Sequence, residues 1–304
     1  IKYNASAKLN SMFFLSPYIT ELDSIRGDIN IDLSLSGISS SIIRDGNIKF
    51  SNSNIYTMLI NNPIIGVDGL GYLKQNNLTI EYFNGTSIKN MNDVSNKIED
   101  NIRLSGSLDF TKFFEPFYDV TATSINNKNI YLDAIPIDLV GLIDSMNVKI
   151  FGKDTLNING LIEVAEATLF HEFISEDIGE TLIFDEGIIM SYSLNVPIKD
   201  EGRFQNSQVD AVMVGEISLA KTGNEFWNIG GEVYIDDGSI LSFKDNFSNL
   251  NGYVTFDNNG INPDMDLIAS TMIADEEIRL RVKGNLDNAD LILESSSGFS
   301  ESDI

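Results

Sequence analysis

A seven-residue pattern recurs along this chain of 304 residues: apolar, any, Gly, any, apolar, any, apolar. Its copies begin at Ile25, Leu104, Ile158, Met213, Ile229 and Leu250, and a shortened copy begins at Val282. Alternation with period two predicts β-strands that have one apolar and one polar face. The glycine has the same parity as the apolar residues, so each copy leaves a gap in an otherwise apolar face.

Strand and turn signals fill the rest of the chain and predict an all-β fold. Short alternating runs such as 29–35 give on the order of twenty strand candidates of about five or six residues each. Asn-Gly and Asp-Gly dipeptides favour left-handed backbone and predict tight reversals. They begin at Asn84, Asn159, Asn251, Asn259, Asp45, Asp68 and Asp237. The glycine-rich stretch 66–71 predicts a further turn.

Helical signals are weak. The stretch 9–22 predicts at most a short helix, interrupted at Pro17, because proline has no N–H to donate. The stretch 137–146 has room for one or two helical turns. The stretch 87–101 is polar and has no periodicity, which predicts a loop or a mobile insertion.

The pattern alone fits two architectures. Two sheets that close on each other would make a β-sandwich, whereas sheets that stay apart would enclose an apolar groove. Filled interiors are the norm in proteins, so the pattern by itself favours the closed core.

The charge balance excludes some functions. The formal net charge is −25 and the isoelectric point is about 4.2. Nucleic acid is an unsuitable partner because phosphate binding needs clustered Lys and Arg, and anionic membrane surfaces are disfavoured for the same reason. The chain has no cysteine, which excludes disulfides and thiolate sites. It does not begin with Met, and we expect it to be a fragment of a longer protein.

The last part of the chain, from Val212, contains an ordered series of motifs at 215–219, 229–238, 250–256, 262–269, 278–284, 291–296 and 300–304. The most specific is Asn262-Pro263 followed by Met265, Leu267 and Ala269. This order resembles the C-terminal domain of the TamB family, within the AsmA-like superfamily. Met265 stands where the family usually has leucine. The family's proline in the final serine segment is absent from 296–299.

The resemblance divides the chain at 211. Residues 212–304 are similar to the TamB C-terminal segment, and residues 1–211 match only in style, as a Gly-anchored strand repeat region. The resemblance implies an elongated β-taco, a U-shaped sheet with an apolar interior. It also implies a periplasmic setting, an inner-membrane anchor and phospholipid transfer toward the outer membrane. A TamA-type outer-membrane barrel partner and a role in outer-membrane protein assembly are implied as well.

An apolar groove suits this role because an acyl chain in water costs about 0.8 kcal/mol per CH₂. Parity gives the candidates for the groove lining: Ile29, Ile31, Leu33, Leu108, Phe110, Ile162, Val164, Ile217, Leu219, Val233, Ile235, Val254, Phe256, Met265, Leu267, Ile278, Leu280 and Val282. The alternative is that they pack on each other as a core. Four glycines, Gly106, Gly160, Gly231 and Gly252, are expected where the sheet curves.

Signals for catalysis are poor, and we expect a protein that is not an enzyme and has no cofactor beyond bound phospholipid or detergent. His171 is the single histidine, and no nucleophile motif accompanies it. The pairs Asp236-Asp237 and Asp264/Asp266 are interpreted as solvated turns rather than a metal or glycosidase site. The rival functions are an extracellular β-solenoid adhesin or structural protein with a filled core, and a β-helix enzyme, which the acidic charge disfavours.

Overall fold

The fold is all-β, as the sequence predicts. The computed structural model describes residues 2–12, 22–38, 41–58, 60–89, 99–112, 115–135, 138–170, 189–242, 244–260, 262–273 and 275–298. In these ranges there is no α-helix, and one 3-10 turn covers Leu286–Asn288.

Seventeen strands belong to one sheet. They are β1 Lys2–Ser11, β2 Leu22–Ile38, β3 Ser41–Thr57, β4 Ile64–Lys74, β5 Asn77–Thr86, β6 Ile102–Asp109, β7 Phe117–Ser124, β8 Ile130–Ala134, β9 Leu139–Gly152, β10 Thr155–Phe170, β11 Ile189–Gln205, β12 Val209–Thr222, β13 Asn228–Ser242, β14 Asp245–Asp257, β15 Asp264–Ile273, β16 Glu276–Asn285 and β17 Asp290–Ser295.

Neither of the two short helices expected from the sequence is present in the described residues, most of which belong to strands. Residues 9–11 belong to β1, and 139–146 belong to β9. The rest of the first stretch, 13–21, lies outside the described residues. Only the ends of the 87–101 loop are described, and they are not in strands.

Most of the expected reversals are wrong. Six of the seven Asn-Gly and Asp-Gly dipeptides lie inside strands, and only Asn259-Gly260 lies in a bend. The 66–71 stretch is likewise part of β4. In each of these dipeptides the polar residue lies on one face of the strand and the glycine lies on the other. The dipeptide therefore fits the strand pattern, and strand pairing overrides its local preference for a turn.

The real reversal between β4 and β5 uses Gln75 and Asn76. Both have positive φ, 51° and 73°, as the two central residues of a type I′ hairpin turn require. This sequence is a weak turn signal, and the reversal was not predicted.

The chain divides into two compact units. Unit 1 contains Ile1–Pro136, Leu142–Ile162 and Gly187–Ser191, and unit 2 contains Ile137–Gly141, Glu163–Glu186 and Tyr192–Ile304. The division expected at 211 from the resemblance falls inside β12.

Unit 1 is an antiparallel meander in which β1 to β7 pair in sequence and β7 then pairs with β9. Breaks of register cross its strands in one line, at 26–28, 50–53, 65–68 and 80–83. Such bulges bend a strand and increase its twist. The buried cluster of Met12, Ile25, Ile29 and Phe50 lies beside this bend.

A buried polar network fastens the ends of the 87–101 loop in unit 1. The backbone N–H of Ser87 donates to Oδ1 of Asn101 at 2.9 Å, and Nδ2 of Asn101 donates to the Ser87 carbonyl at 2.8 Å. The Ser87 hydroxyl donates to the carbonyl of Tyr131 in β8 and accepts a hydrogen bond from Asn62. Pairing of this kind avoids the cost of burying polar groups without partners.

Unit 2 contains a second antiparallel meander, β12 to β17. Its register breaks at 212–213 and at 248–251, where Asn249 has a φ of 54°. Phe247 and Leu250 flank this residue, and both are almost fully buried.

Candidate apolar pocket

Register pairing places three parallel rows of apolar residues on one face of unit 1. The first row is Leu9, Ile29, Phe50, Gly69, Phe83, Leu104, Ala122 and Val148. The second is Ala7, Ile31, Ile48, Gly71, Ile80, Gly106, Val120 and Ile150, and the third is Ala5, Leu33, Gly46, Leu73, Leu78, Leu108, Tyr118 and Gly152. We call these 24 residues the apolar face. It continues across eight strands, β1 to β7 and β9.

The first row of the apolar face is more deeply buried than the third row. In the first row Ile29 is 0% exposed and Phe50 is 9% exposed. The third row contains no fully buried residue. Since this row is as apolar as the first, it presents apolar surface that the described residues of unit 1 leave partly accessible.

A pocket of about 330 Å³ lies at the third row of the apolar face. It is lined by Ile31, Asp32, Leu33, Leu35, Arg44, Asn47, Ile48, Leu73, Leu78 and Phe110. Ligand pockets in proteins typically have volumes of roughly 300–1,000 Å³, with mostly apolar walls and a few polar groups. This pocket has that composition.

Gly46 lies at the centre of the residues that line the pocket. Its register partners on the two neighbouring strands are Leu33 and Leu73, and its nearest neighbours on the same face of β3 are Arg44 and Ile48. These four residues all line the pocket. Gly46 therefore lies among lining residues and adds no side chain of its own between them.

Gly46 also permits close approach of β2. A Cβ atom at this position would lie 2.1 Å from the carbonyl oxygen of Asp32. Any larger residue would thus have to move the neighbouring strand. Sequence reasoning missed this residue because Asp45-Gly46 was interpreted as a turn, although the parity of Arg44, Gly46, Ile48 and Phe50 carries the correct signal.

Hydrogen bonds fix one end of the pocket. Asn76 accepts from the backbone N–H of Arg44 at 2.9 Å and from Nη1 of Arg44 at 3.2 Å. Its backbone N–H donates to the Arg44 carbonyl, and its carbonyl accepts from Phe110 N–H. This network ties β3, the β4–β5 turn and the end of β6 together.

The carboxylate of Asp109 holds the turn that carries Phe110. It accepts hydrogen bonds from the Thr111 hydroxyl at 2.6 Å and from the Thr111 backbone N–H at 2.8 Å. These bonds stabilise the ionised form and lower the pKa of Asp109 below its usual value. The ionised carboxylate therefore favours this turn.

The structure separates the predicted lining residues into two groups. Ile31, Leu33 and Phe110 line the pocket, and Leu108 is beside them as the register partner of Leu78. Ile29 is fully buried at the bend instead. Ile162 is half-buried at the limit of unit 1.

The unit 2 candidates mostly belong to a filled core. Ile235, Leu267, Ile278, Leu280 and Val282 are buried in one cluster with Phe247 and Leu250, and Val254 and Met265 pack against it. Val164 and Val233 are also buried, and Ile217, Leu219 and Phe256 are half-buried. The clustered residues therefore pack on one another, which is the alternative to a groove lining that the sequence left open for them.

The pattern glycines are close-approach positions within the sheet. Gly252 has a φ of 138°, and a Cβ atom there would lie 2.1 Å from the carbonyl oxygen of its neighbour Asp266. Gly106, at 133°, would meet the carbonyl of Asp119 at 2.2 Å. In both cases the obstructing atom belongs to the paired strand of the same sheet, not to a facing sheet.

Asn262 and Pro263, which carry the resemblance most specifically, act as a strand connection. Asn262 donates to the carboxylate of Asp287, and the Pro263 carbonyl accepts from Leu286 N–H at 3.1 Å. They join the start of β15 to the end of β16. This is a structural role.

The acidic pairs lie in strands, not in turns as expected. Asp236 and Asp237 are in β13, and Asp264 and Asp266 are in β15. Asp266 accepts two hydrogen bonds from Arg281, at 3.0 and 2.9 Å, which lower its pKa. Among the residues that the structure describes, no group of three His, Cys, Asp or Glu is placed to hold a metal ion. His171 lies outside those residues.

A helix with the length and hydropathy of a membrane span is also absent from the described ranges.

No protein-family model matches this chain, and no curated protein matches it.

Proposed function

We propose that this protein shields acyl chains on the apolar face of unit 1 and so carries phospholipid between two membranes. The observation that carries the proposal is the pocket of about 330 Å³ at Gly46, in the partly accessible third row. Each CH₂ placed there gains about 0.8 kcal/mol relative to water, so a chain of ten carbons gains up to about 8 kcal/mol.

The dimensions of the apolar face support an extended chain. Eight strands have seven spacings of about 4.8 Å, which makes the face about 34 Å wide. One leaflet of a bilayer contributes about half of the roughly 30 Å hydrocarbon core. A phospholipid tail therefore fits within the face, while its headgroup stays in water.

The envelope setting belongs to the same proposal and depends on the resemblance to the TamB family. In that setting the protein acts in the periplasm, with a TamA-type outer-membrane barrel as partner, in lipid transfer or outer-membrane protein assembly. The acidic polar side of the strands keeps such a carrier soluble and away from anionic headgroups.

A transfer assay between vesicles tests the proposal. Fluorescent phospholipid is placed in donor vesicles, and its arrival in acceptor vesicles is followed with and without the full chain. Leu33→Asp places a charge in the pocket and should abolish transfer. Ile43→Asp is the matched control, because Ile43 is exposed and pairs with Ser36 on the opposite face of the same strands.

Mass spectrometry of the purified protein gives a second readout. Phospholipid should accompany the native chain and the Ile43→Asp variant but not the Leu33→Asp variant. Equal transfer and equal lipid content in all three folded proteins would contradict the proposal.

A structural or adhesive protein with a filled core is the second candidate. The cluster around Leu280 and Phe247 in unit 2 favours it, since those side chains are buried together in one core. Absence of any bound lipid, together with no transfer by the native chain, would support this candidate.

A further inference from the structure

The hairpin that joins β12 to β13 in unit 2 carries an exposed aromatic side chain at its tip. Phe226 is 75% exposed, the highest value for a large hydrophobic residue in the part of the chain that the structure describes. Strand pairing ends at Ala220 and Asn228, so Phe226 lies in the connection beyond the last pair. A side chain this exposed gains little from packing within the protein.

The backbone of the tip is held in a defined turn. The N–H of Glu225 donates to the carbonyl of Thr222 at 3.0 Å, and Gly223 has a φ of 53°. Glycine adopts this left-handed conformation without strain. The chain therefore reverses before Phe226 and presents this residue on the returning side of the hairpin.

Trp227, the only tryptophan of the chain, follows Phe226 and is packed by two other side chains. Its ring centroid lies 5.3 Å from that of Tyr192, and Nζ of Lys221 lies 5.4 Å from its ring centroid. Tyrosine and tryptophan combine an apolar ring with a polar end, and they are enriched where a bilayer meets water. Lysine in such a place covers apolar surface with its stem and keeps its ammonium in water. The tip thus has the composition of a membrane-interface anchor.

The size of the apolar tip favours a bilayer over a protein partner. Asn224 and Glu225, which precede Phe226, are exposed and polar, so the projecting apolar surface is that of one aromatic side chain, about 150–250 Å². A stable protein interface buries at least about 1,200 Å² in total. A bilayer needs no complementary surface of that size, because its interface accepts any apolar side chain that reaches it.

The charges at this end of unit 2 indicate the kind of bilayer. Successive connections of an antiparallel meander alternate between its two ends, so the end of β14 and the 3-10 turn after β16 lie at the same end as the tip. Asp257 and Asp287 are exposed there, and Glu225 is exposed in the tip itself. These carboxylates oppose approach to anionic headgroups, whereas a zwitterionic surface has no net charge to repel them.

We infer that the β12–β13 hairpin inserts Phe226 into the interface of a zwitterionic bilayer, with Trp227 at the level of the headgroups. This inference goes beyond the proposed function, because it concerns contact of unit 2 with a membrane surface and not the pocket of unit 1. Each can be true without the other.

The single tryptophan reports the contact directly. Its emission is recorded for the full chain as phosphatidylcholine vesicles are added, and again with vesicles whose acyl chains are brominated, since bromine quenches tryptophan only at short range. Insertion should shift the emission to shorter wavelengths, and the brominated chains should quench it. Vesicles that also contain phosphatidylserine should give a smaller shift.

Variants assign the contact to the tip. Phe226→Ser should weaken vesicle binding, measured by co-sedimentation, at least about tenfold, because burial of a phenylalanine is worth about that factor or more. Its thermal midpoint should equal that of the native chain, since Phe226 is exposed. Met272→Ser is the matched control: Met272 is 65% exposed and lies at the opposite end of the same meander. It should bind vesicles as the native chain does.

The outcomes separate this inference from the proposed function. A shift with quenching that Phe226→Ser removes and Met272→Ser retains supports the inference, and it should also persist in Leu33→Asp, in which the pocket of unit 1 carries a charge. Absence of a shift, equal vesicle binding by the native chain and Phe226→Ser, stronger binding to the phosphatidylserine vesicles, or loss of the shift in Leu33→Asp would each overturn it. Vesicle binding without lipid transfer would sustain the inference while the proposed function fails.

Discussion

Unit 1 and unit 2 have the same alternating strand pattern, but their apolar faces are buried to different extents. In unit 2, nine buried residues from β12 to β16 fill a core around Leu280, which is 0% exposed. In unit 1 the apolar face continues across eight strands and ends in a partly accessible row with a pocket at Gly46. The comparison shows that the pattern specifies an apolar face but does not decide whether that face is filled.

A charge in the unit 2 core should give the largest effect. Leu280→Glu buries an unpaired carboxylate, and we expect it to destabilise unit 2 by more than about 4 kcal/mol. Hydrogen exchange of peptides from β15 to β17 measures this loss. Leu280 was a candidate for the groove lining, and its burial makes loss of stability the expected outcome instead.

Ile268→Glu is the control for this variant. Ile268 is 40% exposed and its register partner is Arg281, so the change should alter stability by less than about 0.5 kcal/mol. If Leu280→Glu is equally mild, unit 2 has an open apolar face like that of unit 1, and the comparison fails.

Replacing a close-approach glycine should have the next largest effect. Gly252→Ala combines a positive φ with a 2.1 Å contact to the Asp266 carbonyl, and we expect a loss of about 3 kcal/mol. Gly260→Ala has a positive φ of 91° but no heavy atom within 4 Å, so its cost should be only about 1–2 kcal/mol. Urea denaturation measures both. Equal costs would mean that the approach of the neighbouring strand has no energetic role.

In unit 1, the largest of the expected losses in stability should come from removal of the buried polar network around Ser87 and Asn101. Asn101→Ala leaves the Ser87 N–H and the carbonyls of Ser87 and Asn129 without this partner. We expect a loss of about 2 kcal/mol, read out as faster hydrogen exchange in β5 and β8. Asn4→Ala, at an exposed residue bonded to Ser34, should change stability by less than about 0.5 kcal/mol. A similar result for both variants would refute the role of the network.

The smallest effect should come from pH at the end of the β16–β17 hairpin. The carboxylate of Glu276 accepts hydrogen bonds from Ser295, Ser296 and Ser297, which lower its pKa to about 2. A lowered pKa means that the ionised form stabilises the fold. The contribution is complete above about pH 4.5 and is lost as the pH falls toward about 2.

Thermal unfolding of Glu276→Gln checks this. The native chain should have the higher midpoint at pH 7, and the difference should vanish near pH 2. A difference that persists unchanged at pH 2 would show that the carboxylate is not the stabilising group.

The fold class and the composition of each face could be predicted from the sequence. Period-two alternation is a local property, so Ile29, Ile31 and Leu33 were correctly placed on one face of β2. The turns could not be predicted in this way. Asn251-Gly252 is a strong hairpin signal by itself, yet it lies in mid-strand, where Gly252 admits the backbone of Asp266 and Leu267 on the neighbouring strand.

The candidate pocket was predicted only in part. Three lining residues, Ile31, Leu33 and Phe110, follow from parity, whereas Gly46 and Arg44 were missed because their strand was divided at an apparent turn.

The sequence by itself determined an all-β chain whose strands have one apolar and one acidic or polar face, because side chains alternate whatever the strand pairs with. Only the tertiary structure decided which part of that face is buried and which part lines a pocket. That outcome depends on register, which sets Gly46 between Leu33 and Leu73 and sets Leu280 between Ala269 and Leu293. Register joins residues that are distant in the chain, and no local pattern contains it.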